Sequence, residues 1–419
     1  MATKGVYHNI SWRPLPYFLA LFCTVAIFGI HMLPSMDSML NENNTQISHV
    51  FLKSQIDYHK EIAPFARRPF TTFLIESSSK VFGLKSGYAF IVVNFFLLFL
   101  SGLLLYKLSK KLKATKKQAL LNMLVYFSSF SILFAFFPPV FTYDEPLQYC
   151  FILSALIAFT QKRWVWYVIL FTLALVTRET SMLILPAFTL FIVWIRPENE
   201  TLSVKAHGVW ASLVLSPLLF YSFFIGIYIW QNQLLDATQS EMSSRYSCFL
   251  ENFENNKNTV ESLTSIFLSL GPFLYFSCIA LNKLHLPLFK KNVINAFLVT
   301  VAINTPIVIL TAFARESRLF ALPLLFIWPM FMQLFGKELK LIFSFRTYAL
   351  IFKKIPYGFV FLILNGLNYV LCFHIYRNME LGENTYFAEY LFILNFCLIS
   401  HFLTYFFLIP KVPSEASDI

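Results

Sequence analysis

The chain has 419 residues, 57% of them hydrophobic and 13% charged, against ~25% charged in a soluble domain, which excludes a soluble globular enzyme. Its net charge of +11 is no nucleic-acid footprint, because Lys and Arg of a membrane protein gather in cytoplasmic loops beside anionic lipid heads. With 12 Gly there is no glycine-rich phosphate loop; the 8 His lack zinc spacing and the 6 Cys form no CxxC.

Apolar runs of membrane-spanning length recur from end to end. The first, Tyr17–Leu33, lacks a small-residue cleavage site before Pro34 and is expected to be a retained helix. A long non-cytoplasmic loop is expected at 34–87. A helix at Tyr88–Tyr106 follows, then six lysines in the segment Lys107–Lys117, the clearest cytoplasmic marker. The next helix, Ala119–Phe137, ends at Pro138-Pro139. Another runs from the Asp144-Glu145 pair to Phe159.

Trp164–Ile195 is one apolar run interrupted by Arg178-Glu179. As a single helix it would measure about 48 Å, against a hydrocarbon core of ~30 Å. Two short helices folded back at Arg178 are therefore expected, with the turn below the membrane surface and shielded by neighbours. Further helices are expected at Val209–Trp230, Leu263–Leu281, Val293–Phe313, Leu319–Phe335, Pro356–Tyr376 and Phe387–Ile409. A second non-cytoplasmic loop falls at 231–262, and the basic, part-apolar stretch Gly336–Lys354 is expected along the inner surface. The fold class is all-α membrane: a polytopic helical bundle of about 12 transmembrane helices, one transmembrane domain over 1–419, both termini cytoplasmic. Most of the 33 Lys and Arg then lie inside, as the positive-inside rule requires.

Under this topology four charged islands face the same, non-cytoplasmic side. The first, Ile56–Phe73, carries Asp57, Glu61, Arg67 and Arg68 in a loop given a defined path by Pro64 and Pro69. The second is Asp144-Glu145, a pair that either caps a helix or holds a cation, a base or a sugar hydroxyl. The third is Arg178-Glu179. Charges at membrane depth cost about 2.5–3.5 kcal/mol each, so these two either pair with one another at a tight hairpin or have a task. The fourth is Arg315-Glu316-Ser317-Arg318. If helical, Arg315 and Arg318 share a face, and two guanidiniums on one face suit a phosphate.

The order D-Y…P-F-x-R-x-P-F, Y-D-E-P, R-E-T and A-R-E-x-R resembles the GT-C superfamily of integral-membrane glycosyltransferases, closest to bacterial members. The resemblance implies a polytopic helical fold, a polyprenyl-phosphate sugar donor and a first-loop carboxylate base, a place that Asp57 matches best. The chain departs from the pattern in lacking a large C-terminal soluble domain and a D-D or D-E pair directly after the first helix, where Asp37 stands alone.

The residues fit that chemistry. Displacing a lipid phosphate from an anomeric carbon needs a base for the acceptor hydroxyl and cations for the leaving phosphate. Asp57 or Glu61 is the expected base. Arg67, Arg178, Arg315 and Arg318 are expected on the donor phosphate. Asp144, Glu145, Glu179 and Glu316 are expected to order the site or hold a divalent cation, Mg or Mn. One direct displacement inverts the anomeric centre. The expected place is a bacterial inner membrane, with the site on its non-cytoplasmic side; the expected partners are the lipid-linked donor and membrane lipids, with no nucleic acid. A transporter or flippase of an anionic lipid-linked sugar is the alternative, though no internal repeat favours it. Sugar, acceptor and oligomeric state are not written in the sequence.

Overall fold

The computed structural model describes residues 14–32, 49–136, 142–194, 204–236, 239, 245–282, 286–380 and 386–408. Among them every regular element is helical and none is a strand. The calls on Asp37, Pro138-Pro139 and both chain ends lie outside these residues.

The expected first helix forms as α1 (Leu15–Ile27), continued by a π turn over Phe28–Met32. The stretch expected as a loop at 34–87 instead carries two helices among its described residues. These are α2 (His49–Glu61) and α3 (Pro69–Phe82), joined through the single turn Ala63–Ala66. Helices of this length, each with one polar face, leave no apolar run for hydropathy to register; α3 buries only Thr71, Thr72 and Ile75.

α4 (Ser86–Lys111) outruns its expected end into the lysines, because Lys is a good helix former and its charge complements the C-terminal dipole. Its buried residues Phe90, Asn94, Leu97, Ser101, Leu105 and Leu108 recur at helical spacing. Beside Ser101, Gly102 lets α5 (Lys116–Ser128) come close: a Cβ there would stand 2.4 Å from the Phe127 ring. Ser101 Oγ and the Tyr126 hydroxyl bond at 2.7 Å across the same contact. Thr115 and Gln118 start α5 with a reciprocal capping box.

After α6 (Glu145–Thr160) the chain turns into α7 (Trp164–Thr177), which stops at Arg178, an extended residue with φ −157° and ψ 117°. Short 3-10 and α turns over Glu179–Trp194 form an arm that returns along α7. The ring of Phe188 lies 5.6 Å from that of Tyr167 and 5.7 Å from that of Phe171. In a continuous helix, residues 167 and 188 would be ~30 Å apart. The reversal expected at Arg178 is therefore present.

α8 (Val204–Gln231) follows. The second expected loop, 231–262, contains α9 (Ser247–Phe253) and the first turns of α10 (Asn256–Leu281). Asn255 caps α10 by accepting the Asn258 N–H at 2.8 Å. This start is too polar for a hydropathy window to include. α11 (Leu288–Thr311) comes next.

The helix expected over Leu319–Phe335 is not continuous. A 3-10 turn (Ser317–Phe320), a short α turn (Leu324–Ile327) and a second 3-10 turn (Trp328–Met330) precede α12 (Phe331–Ile342). Pro323 and Pro329 each remove a backbone donor there. The broken stretch is instead held sideways. The fully buried Trp328 donates Nε1–H to Ser129 Oγ at 2.7 Å, and Asn122 of α5 donates to the Pro329 carbonyl at 2.6 Å.

α13 (Phe345–Lys353), α14 (Ile355–Val370, extended by π and α turns to Asn378) and α15 (Phe387–Leu403, extended to Leu408) complete the fold. A buried polar link joins three of these helices: His401 of α15 meets Tyr275 of α10 and Glu338 of α12, each at 2.9 Å.

Among the described residues, six helical segments are long and apolar enough to cross a membrane, namely 86–111, 208–231, 256–281, 288–311, 355–378 and 387–408. Four shorter apolar segments, 15–30, 145–160, 164–177 and 179–191, pack among them.

Candidate active site

The four islands contribute to two adjoining, largely buried sets of ion pairs, joined through the chain at Asp144-Glu145 and Arg178-Glu179. Arg67 and Arg68 lie in the short link between Ala63–Ala66 and α3, which Pro69 opens. The Tyr228 hydroxyl of α8 pins that link by donating to the Ala66 carbonyl at 2.9 Å. Arg68 donates Nε–H and Nη2–H to the two oxygens of Glu179 at 2.7 and 2.5 Å, and Arg67 donates to the same carboxylate at 3.0 Å. Arg68 also faces Asp144 at 3.7 Å.

Glu145, in the first turn of α6, receives Arg178 in an ion pair and Arg318 at 3.1 Å. Arg318 further donates Nε–H and Nη2–H to Glu316 at 3.1 and 2.8 Å. Asp144, Glu145 and Arg68 are 2%, 3% and 6% exposed, so each unbalanced charge here would be costly.

These contacts bear on the alternatives for the Arg-Glu and acidic pairs. Arg178 and Glu179 do not pair with one another: each reaches across to a different island. Asp144 occupies the N-cap position of α6 yet makes no side-chain capping bond. Its Oδ1 and the Nε of Arg67 are buried without a hydrogen-bond partner. Burial pushes the Asp144 carboxyl up to about 6, with Arg68 opposing the shift.

The backbone around the network is tied down by side chains the sequence did not mark. Gln148 donates to Ser181 Oγ at 2.8 Å and Thr180 Oγ1 at 3.2 Å, holding the returning arm to α6. Ser317 bonds Ser265 Oγ at 2.7 Å, and its carbonyl accepts from Ser269 at 3.1 Å, which seats the fourth island on α10. Asn252 of α9 donates to the Ile309 and Ala312 carbonyls and accepts the Ala314 N–H. A single buried Asn thus satisfies the frayed end of α11.

Three expected site residues stand apart. Arg315 and Arg318 do not share a helical face, because residues 314–315 form a turn and the 3-10 turn begins only at Ser317; the Arg315 guanidinium lies 4.9 Å over the Phe313 ring. Glu61 is exposed at the end of α2. Asp57 is half-buried and lines a separate polar cavity of about 190 Å³ with Lys53, Lys60, Glu76, Ser79 and Lys80. Conversely, Arg68, which meets both Glu179 and Asp144, was absent from the expected phosphate-binding set. Its adjacency to Arg67 was visible in the sequence; which of the two points inward was not.

The four carboxylates expected as possible cation ligands are each engaged by guanidinium groups. Among the described residues no group of three or more His, Cys, Asp and Glu converges in a metal-binding arrangement. These side chains do not fit a cation cage.

A helical protein with several membrane-length apolar segments belongs to the class of integral membrane proteins, and this one carries buried cations beside carboxylates. Residues 64–225 match the family model described as dolichyl-phosphate-mannose-protein mannosyltransferase. The matched span contains Arg67-Arg68, Asp144-Glu145 and Arg178-Glu179; the Arg315 island lies beyond it. The match supports a GT-C superfamily glycosyltransferase. Neither the curated proteins nor the solved structures compared with the chain gave a match.

Proposed function

We propose that the protein moves a sugar from a polyprenyl-phosphate donor to an acceptor hydroxyl on the non-cytoplasmic side of a bacterial inner membrane, with inversion at the anomeric carbon. The observation that carries this reading is the convergence of Arg67, Arg68, Arg178 and Arg318 in one buried cluster. A transporter of the same lipid needs cations too, but the family match favours transfer.

The reaction asks three things of the chain. The leaving phosphate needs N–H donors aimed at its oxygens, where they act more strongly in a low-dielectric site. Arg67 has a buried Nε–H with no partner and is well suited to offer it. The carboxylates Glu145, Glu179 and Glu316 hold the guanidiniums at fixed angles, so little reorganisation accompanies bond breaking. Asp144 presents a buried, unpartnered oxygen suited to a sugar hydroxyl. The acceptor oxygen then forms a bond to the anomeric carbon while the bond to the phosphate oxygen breaks. Its electron pair leaves with the lipid phosphate. Asp57 and Glu61, the bases that the sequence offers, both lie on α2.

The test is incubation of membranes holding the protein with radiolabelled polyprenyl-phosphate mannose and glucose. Label moving from the lipid to a second molecule supports the reading. Labelled lipid crossing the bilayer unchanged, with no transfer, replaces it by a flippase.

A further inference from the structure

The side of α2 that meets the ion-pair network is not the side that carries Asp57. Successive residues on a helix are rotated by about 100°, so His59 points roughly opposite to Asp57. Asp57 shares its face with Lys53, Ile56 and Lys60 around their own small cavity. The His59 ring instead stacks on Tyr143 at 3.5 Å, with 13° between the planes. Tyr143 immediately precedes Asp144. Its N–H reaches Glu145 Oε2 at 3.3 Å and its hydroxyl bonds Thr72 at 2.9 Å. Phe65 packs against the His59 ring at 4.8 Å, and the Arg68 guanidinium lies 5.5 Å over the Phe65 ring. The imidazole is thus one aromatic layer from Arg68 and one residue from the buried carboxylates.

Its tautomer follows from its partner. His59 Nδ1 lies 2.8 Å from the Gln55 carbonyl oxygen. A carbonyl only accepts, so Nδ1 carries the proton and Nε2 presents a lone pair. Nε2 makes no hydrogen bond to another described residue. A neutral imidazole oriented through its other nitrogen is the arrangement expected of a general base.

We propose that His59 is the catalytic proton acceptor, taking the proton of the acceptor hydroxyl on Nε2 as the oxygen attacks the anomeric carbon. This rests on the transferase reading above. The acceptor O–H bond breaks, the new C–O bond forms, and the C–O bond to the phosphate breaks with its electron pair passing to the lipid phosphate. The resulting imidazolium, still donating Nδ1–H to Gln55, returns its extra proton to water. Burial holds the imidazole down at about 4; the Gln55 carbonyl and Glu145 raise it, and Arg68 and Arg318 lower it.

The experiment measures initial transfer rates from radiolabelled polyprenyl-phosphate mannose, from pH 4 to 9, for the wild type, His59→Gln, His59→Phe and Asp57→Asn. Phe keeps a ring against Tyr143 and Gln does not, so a packing defect confined to His59→Gln is separated from loss of the base. Binding of labelled donor is measured alongside. We expect both His59 variants to bind donor as the wild type does, to lose transfer by about a hundred- to ten-thousand-fold, and to lose the acid limb of the pH–rate profile. His59 variants that keep rate and limb, with the limb lost in Asp57→Asn, overturn the proposal and leave the transferase reading intact. A wild type that transports labelled lipid without transfer overturns both.

Discussion

Arg68 grips both oxygens of Glu179, through Nε at 2.7 Å and Nη2 at 2.5 Å, and so ties the link before α3 to the arm after α7 across 111 residues of sequence. The planar fork of Arg matches a carboxylate in a way that Lys does not. Arg68→Ala and Glu179→Ala are each expected to destabilise the protein by roughly 3 kcal/mol, since one partner of a buried pair is left behind. Arg68→Ala falls below Glu179→Ala in cost, because Arg67 still holds Glu179 at 3.0 Å. The double variant is expected to lose less than the sum. Unfolding in detergent across this cycle is the check; strict additivity would mean the pair is not coupled.

Arg178 and Arg318 share the same oxygen, Oε1, of Glu145. Removing either guanidinium takes a charged hydrogen bond, ~1.5–3 kcal/mol, from a bound phosphate. Arg178→Ala and Arg318→Ala are each expected to weaken donor binding by about ten- to a hundred-fold. Equilibrium binding of labelled lipid phosphate measures this. Arg315→Ala, whose side chain rests on Phe313, is expected to change binding least of the three. An equal loss in all three variants would detach donor binding from the observed network.

Two groups at the edge of the network titrate in opposite senses. Asp144 is raised from 3.8 to about 6, so its folded form holds a proton that its unfolded form has lost. Its contribution is present below pH ~4 and disappears as pH rises toward 6. His59 is lowered from 6.5 to about 4; its contribution is present above pH ~6.5 and disappears as pH falls toward 4. The two slopes offset one another in the wild type. Asp144→Asn is therefore expected to gain stability with rising pH between 4 and 6.5, and His59→Gln to lose it. Melting temperatures over that range decide the matter, and parallel curves for both variants would refute the assignment.

Gly102 lies against the Phe127 ring, which a Cβ would meet at 2.4 Å. Phe127 is itself buried, so it has little room to give. Gly102→Ala is expected to cost about 1–3 kcal/mol through overpacking and to leave donor affinity unchanged. A variant as stable as the wild type would show that α4 and α5 can separate freely.

What the sequence determined by itself were the features set by composition and by local chain physics. Uninterrupted apolar runs mark α4, α8, α10, α11, α14 and α15, because burying a backbone in lipid leaves helix as the available solution. The Arg178-Glu179 interruption marks the reversal after α7, because the run is too long for one crossing and too costly in charge for its middle. The islands themselves were legible as charges that an apolar chain carries at a price.

Tertiary structure alone decided which charges meet. Arg68 rather than Arg315 reaches the cluster, Arg178 and Glu179 part company, and α2 turns His59 inward and Asp57 aside. Each choice depends on the rotation of a short helix or turn about its axis. That rotation is set by neighbours distant in sequence: Tyr143 under His59, Tyr228 on the Ala66 carbonyl, Ser265 on Ser317. One residue of helix is about 100° of direction, so a motif names the residues present without naming which of them faces the site.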